Sequence, residues 1–521
     1  MHAEQSGTRP WLIMLYLAGD NSLSEDMVLA LQDLQAEGPP AGDKIVAQFD
    51  PSGLGLLTQR YDFSDSMKPD GTKKTRLDDY RDTDCAASET NTGSQEALLN
   101  FIKWADGRYG SKKEKKDYRH LLVLSGHGSG TTEDFLMSDE SPKDSLTIDE
   151  LTNALQAATK KVLRKKIDVL GMDACYMSMG EVAYQIRESV DFMVGAEGLE
   201  PEFGWPYRRI LARAKAFLED NGRHMRPKEL APAIVKEYVD HYSAYDRTAG
   251  RSVDLAAIDL GELAKVKKTF GTLVTELSRL DTPDHEKVLL AHWYAQTYKY
   301  EQFVDLRDLC DRMESQFGSR TRIGRACRNV MRSLDGCVLR SGCSGCACQY
   351  SFGLSIYFPW AVVSPDYQNL DFAEQTGWRQ FLLKHIILTR RAPRYDGQAR
   401  QSIDPVARKK ALMGFLKKAQ GVLESGTDVQ EPIVAQLRRL LRLRSAAGLV
   451  ENAVKRVADT DIPEEDVPGE INRRVLRARV LRDANSRYSN HTRHTDHTRS
   501  LGDREQWVKN LPPVIGEAYW P

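Results

Sequence analysis

Covalent chemistry in this chain points first to a cysteine and a histidine that each follow an apolar run. Cys175 closes IDVLGMDAC, in which Ile167, Val169 and Leu170 read as a buried strand that breaks at Gly171. Met179, Val182, Ala183 and Ile186 then recur at helical spacing, so the cysteine falls between a strand end and a helix start. Helix N–H groups at such a place favour a thiolate, the nucleophilic form. A small buried thiol is the commoner fate of a free cysteine. His127 tilts the balance, because LLVL (121–124) is a second apolar run and it ends in Ser125-Gly126-His127-Gly128. Reactive groups in parallel α/β sheets collect beyond the carboxyl ends of the strands, so two such strands would set a base beside a nucleophile. The glycines flanking His127 permit close backbone approach, and the N–H groups of Gly128 and Cys175 are candidate donors to a developing oxyanion.

Several segments resemble one family in their order and spacing. They are WLIMLYLAGDNSLSEDM (11–27), the strand ending His127-Gly128, Asp173-Ala174-Cys175, VGAEGLEPEFGWPY (194–207), FVDLRDL (303–309) and GLSIYFPWAVVSPDY (353–367). From Trp11 to about Leu383 the chain resembles the clostripain-like cysteine peptidases, relatives of caspases, legumains and gingipains. The resemblance implies an α/β fold with a caspase-like, mostly parallel sheet flanked by helices, and a thiol protease with a dyad of Cys175 and His127. It also implies cleavage after Arg or Lys. An acidic residue in the D-x-C pattern is associated in the family with basic specificity. That places Asp173 at the floor of the pocket for the residue before the scissile bond, where a carboxylate can pair bidentately with Arg. The plainer role for Asp173 is to accept nearby turn amides. Glu197, Glu200 and Glu202 make the following loop acidic, which also suits a basic side chain. Relatives usually carry a glycine and an acidic residue between the Glu-Pro and Gly-Trp pairs. Here Glu202 and Phe203 stand there, which admits a hydrophobic component to recognition. Trp205 reads equally as a groove-lining or a core aromatic.

The elements that must hold these residues follow from periodicity and caps. Trp11–Gly19 is a central strand, and Ser22-Leu23-Ser24-Glu25 reads as a capping box opening a helix to about Ala36. Lys44–Asp50 is a second strand with 56–63 as its antiparallel return, and Ser94 caps a helix burying Ala97, Leu98, Phe101, Ile102 and Trp104. The polar run 64–91 is long enough for a functional rim. Between His127 and Cys175, Thr147-Ile148-Asp149-Glu150 is another capping box, and Lys160 to Lys166 is strongly basic. A solvated helix end explains that basic run by itself. The family resemblance adds maturation by cuts between the His and Cys elements, with Lys143, Lys160, Lys161 and Arg164 as candidate processing residues and a zymogen as the state before autocleavage.

The 521 residues imply two or three domains: a catalytic core over 1–210, its second half with accessory helices over 211–385, and a helical C-terminal extension over 386–521. Pro227–Tyr242, 260–280 and 286–298 read as helices, and 255–260 and 353–358 as strands. In the extension, 406–423 and 432–457 are helical, leucine-spaced and basic, which favours an interaction or regulatory module over RNA binding. The stretch 482–503 is polar and read as unstructured; its His491, His494 and His497 are spaced for a metal but equally suit a solvated run. The net charge of −1 gives no argument for nucleic acid or membrane as partner. No basic leader or membrane-length apolar run is visible, so a cytoplasmic protein is expected, a departure from the many exported relatives. Most of the eight cysteines should then be reduced thiols. Cys337, Cys343, Cys346 and Cys348 are either a zinc site or a Gly/Ser-rich loop of free thiols. The chemistry itself needs no cofactor, and a calcium requirement is known among relatives. The expected function is an intracellular endopeptidase acting on proteins after Arg or Lys, controlled by processing, an upstream protease or a partner, in a stress or defence setting. Alternatives are a single-target protease of the separase or caspase kind and a catalytically silent scaffold that recruits partners.

Overall fold

The computed structural model describes residues 9–390, except 54–55, 84–87, 111–116, 132–135, 142, 244–251, 299–301 and 361–362, together with 492–496. In chain order the strands are β1 (Trp11–Gly19), β2 (Lys44–Pro51), β3 (Gln59–Asp62), β4 (Arg119–Ser125), β5 (Leu136–Glu140), β6 (Lys143–Leu146), β7 (Ile167–Asp173), β8 (Val190–Gly195), β9 (Val253–Asp259), β10 (Thr297–Tyr298), β11 (Phe303–Asp305), β12 (Val338–Ser344), β13 (Ser355–Tyr357) and β14 (Thr492–Asp496). The helices are α1 (Ser24–Glu37), α2 (Gln95–Tyr109), α3 (Ile148–Ala157), α4 (Gly180–Ile186), α5 (Tyr207–Asn221), α6 (Pro227–Tyr242), α7 (Leu263–Leu277), α8 (Thr282–Tyr294), α9 (Leu306–Phe317), α10 (Arg322–Cys337), α11 (Asp371–Thr376) and α12 (Trp378–Arg390).

Two compact units divide the described residues, one drawn from 9–264, 334–355 and 492–496, the other from 265–333 and 356–390. The first unit continues past residue 210 to Ala264. Its sheet has the order β14-β12-β9-β8-β7-β4-β1-β2-β3. β2, β1, β4, β7 and β8 are parallel, and β3 and β9 flank them antiparallel, which gives the expected caspase-like sheet. Every residue of β1 is buried, as a strand covered on both faces must be. Ile13, Leu15 and Leu17 face a core shared with Leu31 and Leu34 of α1, Ile210 of α5 and Ile234 of α6. α2 and α3 pack together, and α2 lies against β1 and β2. The Ser94 hydroxyl accepts the Ala97 N–H, and Thr147 and Glu150 form the reciprocal capping box expected of them.

Two expectations change. β7 does not break at Gly171 but runs through it, because the missing side chain there opens a slot: a Cβ would lie 2.8 Å from the Trp205 ring. The polar stretch 482–503 is not uniformly irregular, since 492–496 pairs antiparallel with β12. The helices expected at 406–423 and 432–457 lie outside the described residues. The second unit has a small sheet in the order β10-β11-β13 and an aromatic interior in which Phe270 stacks on Phe372 and Trp378 on Phe381. Within it, His285 and His385 share a buried Nδ1–Nδ1 hydrogen bond of 2.9 Å.

Candidate active site

β4 and β7 are neighbours in register, with Leu121 opposite Val169 and Ser125 opposite Asp173. Two residues past those paired ends stand His127 and Cys175, both partly exposed, at the carboxyl edge of the parallel strands. The Gly126 N–H donates to the Asp173 carbonyl (3.2 Å), carrying the pairing into the turns. At Gly128 the two turns nearly touch: a Cβ there would sit 2.5 Å from the Cys175 carbonyl oxygen, 2.9 Å from Met177 Sδ and 3.1 Å from Ala174 Cβ. Only glycine lets the histidine loop approach the cysteine turn this closely.

The cysteine turn is unusual in itself. Tyr176 adopts φ +63°, a left-handed conformation costing about 1–2 kcal/mol for a residue with a side chain. The turn is held by Tyr176 N–H to Gly198 O (2.9 Å) and Ser178 N–H to Ala196 O (2.8 Å). Four residues lie between Cys175 and Gly180, where α4 begins, so no helix N-terminus abuts the sulfur as the sequence suggested. The N–H group that does reach Cys175 Sγ is that of Glu200, at 3.3 Å. A fixed N–H dipole favours a thiolate in the same way as a helix end.

His127 is tied on one side by Ser22, whose Oγ lies 3.0 Å from Nε2. Its carbonyl accepts the Met137 N–H (3.0 Å), so the hairpin of β5 and β6 braces the loop from behind. Burial pulls the imidazole below its ordinary value, and the charges of Glu140 and Glu202 pull it back up.

Beneath the cysteine turn, Asp173 is buried and accepts the Tyr207 hydroxyl at 2.6 Å. Glu200 also hydrogen-bonds to it, and Trp205 Nε1 donates to Glu200 Oε2 at 3.1 Å. Burial raises both carboxyls. Asp173 is brought back by hydrogen bonds from Tyr207, Glu200, Ser125 and the Trp205 backbone, whereas the negative charges of Asp173 and Cys175 push Glu200 further up. Both carboxyls stay above their ordinary values, Glu200 the further of the two.

The clostripain family model matches residues 15–385. The chain belongs to the clostripain family. It is 23% identical over 384 residues to clostripain of Hathewaya histolytica, an alignment spanning 63% of this chain and 70% of that protein. Similar folds occur in a secreted C11 cysteine protease of Bacteroides thetaiotaomicron bound to an irreversible peptide inhibitor (TM-score 0.51, 19% identity, 71% of this chain and 99% of that one). An inactive zymogen C11 protease of Parabacteroides distasonis is also similar (TM-score 0.50, 19% identity, 71% and 98%). As a clostripain-family member the chain is a cysteine peptidase.

Other expected site residues of this clostripain-family chain are scattered. Trp205 is 2% exposed and seated in the slot at Gly171, so it is a core aromatic and does not line a groove. Of the three loop glutamates, Glu202 is exposed; Glu197 is fully buried and accepts the Gly353 N–H at 2.7 Å, and Glu200 is turned inward as described. The Glu197 and Gly198 N–H groups both donate to Asp254, which burial raises to about 6. Leu199 and Phe203 project outward on the same loop, 53% and 56% exposed. Lys143 lies exposed on β6, and Lys160 and Lys161 lie exposed on a π-helical turn at Ala158–Leu163. Arg164 follows them, exposed, with φ +57°.

Ser22 is a site residue that the sequence reading missed. Its pattern with Glu25 looks like a cap, but the α1 N-cap is Leu23, and no side chain caps that helix. Cys337 Sγ donates to the Asp259 carbonyl (3.4 Å), Cys348 hydrogen-bonds to Asp254, and Cys343 is buried within β12. Among the described residues no three His, Cys, Asp or Glu side chains converge as metal ligands; the Cys346 side chain lies outside them. No described helix is long and apolar enough to cross a membrane.

Proposed function

We propose that this clostripain-family peptidase is an endopeptidase that cuts protein chains after Arg or Lys, with Cys175 as nucleophile and His127 as proton carrier. The observation that carries the reading is the in-register end of β4 and β7, which brings His127 and Cys175 side by side with Gly128 against the Cys175 carbonyl. The Cys175 thiolate attacks the scissile carbonyl carbon, and the N–H groups of Gly128 and Cys175 take the oxyanion, a contribution of about 3–4 kcal/mol per donor. The C–N bond then breaks as the His127 imidazolium gives its proton to the leaving amine, leaving a thioester. Water attacks the thioester with His127 as base, and the acid product departs with the thiolate restored. These steps use no cofactor; a calcium requirement would act on the fold and not on bond-making.

The preference for a basic residue rests on Asp173, the carboxylate that lies under the nucleophile turn, with the exposed Glu202 nearby on the rim. Phe203 and Leu199 on that rim favour substrates with an apolar residue beside the basic one. Activation follows from a cut between the His and Cys elements. Lys143, Lys160, Lys161 and Arg164 are all exposed there, and Arg164 is the best placed because it lies beyond the helical turn. A similar fold is described as an inactive zymogen, which fits a dormant state for this chain as well. An intracellular site of action would keep the buried thiols of Cys310, Cys327, Cys337, Cys343 and Cys348 in the reduced form.

The test compares wild type with Cys175→Ala and His127→Ala on Arg, Lys and neutral peptide reporters, with gel and intact-mass analysis of each preparation. The reading expects turnover of basic reporters, and fragments ending at Arg164 or a neighbouring Lys, in wild type alone. Equal turnover by Cys175→Ala would end it.

A further inference from the structure

We infer that Ser22 is the third member of the catalytic unit, a positioning residue that holds the His127 ring through Nε2 and leaves Nδ1 to serve the nucleophile. The inference rests on the Cys175–His127 reading and adds to it a residue 105 positions away in sequence.

The first support is the contact, Ser22 Oγ to His127 Nε2 at 3.0 Å. The second is how firmly Ser22 is presented. It sits at the tip of the turn leaving β1, and its neighbour Asn21, 4% exposed, ties that turn in three places. Asn21 Nδ2 donates to the carbonyls of Ala18 (2.9 Å) and Ser138 (2.7 Å), joining the end of β1 to β5, and Asn21 Oδ1 accepts the Leu23 N–H (3.0 Å). The backbone closes on itself through Asn21 N–H to Gly19 O (2.7 Å) and Ser24 N–H to Asn21 O (3.2 Å). β5 also returns to this turn, with the Glu140 N–H on the Asp20 carbonyl (2.9 Å). The same hairpin braces His127 from its other side through the Met137 N–H. Serine and histidine are therefore fixed on one scaffold, and a ring held at one nitrogen has little freedom at the other.

A neutral imidazole has one donor and one acceptor nitrogen, and an imidazolium has two donors. In the thiolate–imidazolium state Nε2–H donates to Ser22 Oγ, and Nδ1–H is the proton destined for the leaving amine. Once Nδ1 has given up that proton, the neutral ring keeps Nε2–H, which still donates to Ser22 Oγ and leaves Nδ1 as the base for the attacking water. Ser22 thus serves both halves of the proton cycle. Its acceptor role matters most because burial disfavours the imidazolium, opposed by Glu140 from β5 and Glu202 from the loop after β8. Those two carboxylates stay in place when Ser22 changes.

The experiment measures kcat and KM on an Arg reporter from pH 5 to 9 for wild type, Ser22→Ala and Ser22→Thr. In parallel it measures the rate of Cys175 alkylation by iodoacetamide over the same range, with Cys175→Ala as the blank. Ser22→Ala should lose about tenfold in kcat with KM held within about twofold. Its alkylation should slow about fivefold at pH 6 and converge on wild type at pH 9, as expected of a weakened ion pair. Ser22→Thr, which restores a hydroxyl, should recover both to within about threefold. Wild-type kcat and alkylation profiles in Ser22→Ala would overturn the inference, as would a loss of turnover with the alkylation profile unmoved. Turnover by the Cys175→Ala blank would instead overturn the dyad itself, so the two failures are distinguishable.

Discussion

Replacing Gly128 with alanine would test the joint between the two catalytic turns with one methyl group. The added Cβ would lie 2.5 Å from the Cys175 carbonyl oxygen, which is backbone, with Met177 Sδ at 2.9 Å and Ala174 Cβ at 3.1 Å. An ordinary carbon–oxygen contact is about 3.3 Å, so the two turns must part by about 0.8 Å. Overpacking of that kind costs about 1–3 kcal/mol of stability, which a core with nine paired strands absorbs without unfolding. Catalysis is less forgiving. The displacement moves His127 and the Gly128 N–H away from Cys175 together, and a misplacement near 1 Å costs about a hundredfold. The prediction is a folded Gly128→Ala protein with a melting temperature a few degrees low and kcat/KM on an Arg reporter reduced about a hundredfold. Thermal unfolding and initial-rate kinetics on one preparation would measure both. A stable variant with kcat/KM within threefold of wild type would refute the argument that the glycine sets the distance between base and nucleophile.

Two further predictions use the carboxylates. Asp173→Asn keeps the shape and the Tyr207 contact but removes the charge under the nucleophile turn. Relative kcat/KM for Arg over a neutral reporter should fall by about ten- to a hundredfold, with Cys175 alkylation largely retained; an unchanged preference would remove Asp173 from substrate selection. Asp50, fully buried at the end of β2, is raised to about 7 mainly by burial, with the Thr58 hydroxyl opposing and Glu89, Asp139 and Asp20 adding to the rise. A carboxyl raised on folding lends stability that is whole below its unfolded value near 4 and is lost as pH climbs through 7. Asp50→Asn, which can still accept from Thr58, should therefore stabilise the protein at pH 8 relative to wild type by up to about 4 kcal/mol and much less at pH 5. Denaturant titration at the two pH values would show it, and an equal difference at both would contradict it.

Much of the frame was legible because it is local. β1, β4 and β7 announce themselves as short apolar runs, and the helix caps at Ser94 and Thr147 are patterns within four residues. His127 and Cys175 were legible because each follows such a run. The misreadings are all long-range. Ser22 with Glu25 satisfies a capping pattern, yet its hydroxyl is used by a ring 105 residues away, which no local pattern can announce. Gly171 looked like a strand end because glycine usually punctuates; here it makes room for Trp205. Glu197 and Glu200 counted as pocket charge, but charge alone says nothing of direction. Both turn inward, one to Gly353 and one to Asp173. The N–H aimed at Cys175 Sγ comes from Glu200 and not from the next helix, because a left-handed Tyr176 delays that helix to Gly180.

The central claim, that Cys175 is the nucleophile activated by His127, is tested most directly by an affinity label. Wild-type protein treated with an arginyl chloromethyl ketone should gain one adduct, mapped by peptide mass spectrometry to Cys175, while the seven other cysteines stay unmodified. His127→Ala should label at least a hundredfold more slowly under the same conditions. An adduct on another residue, or equal labelling rates with and without His127, would contradict the account.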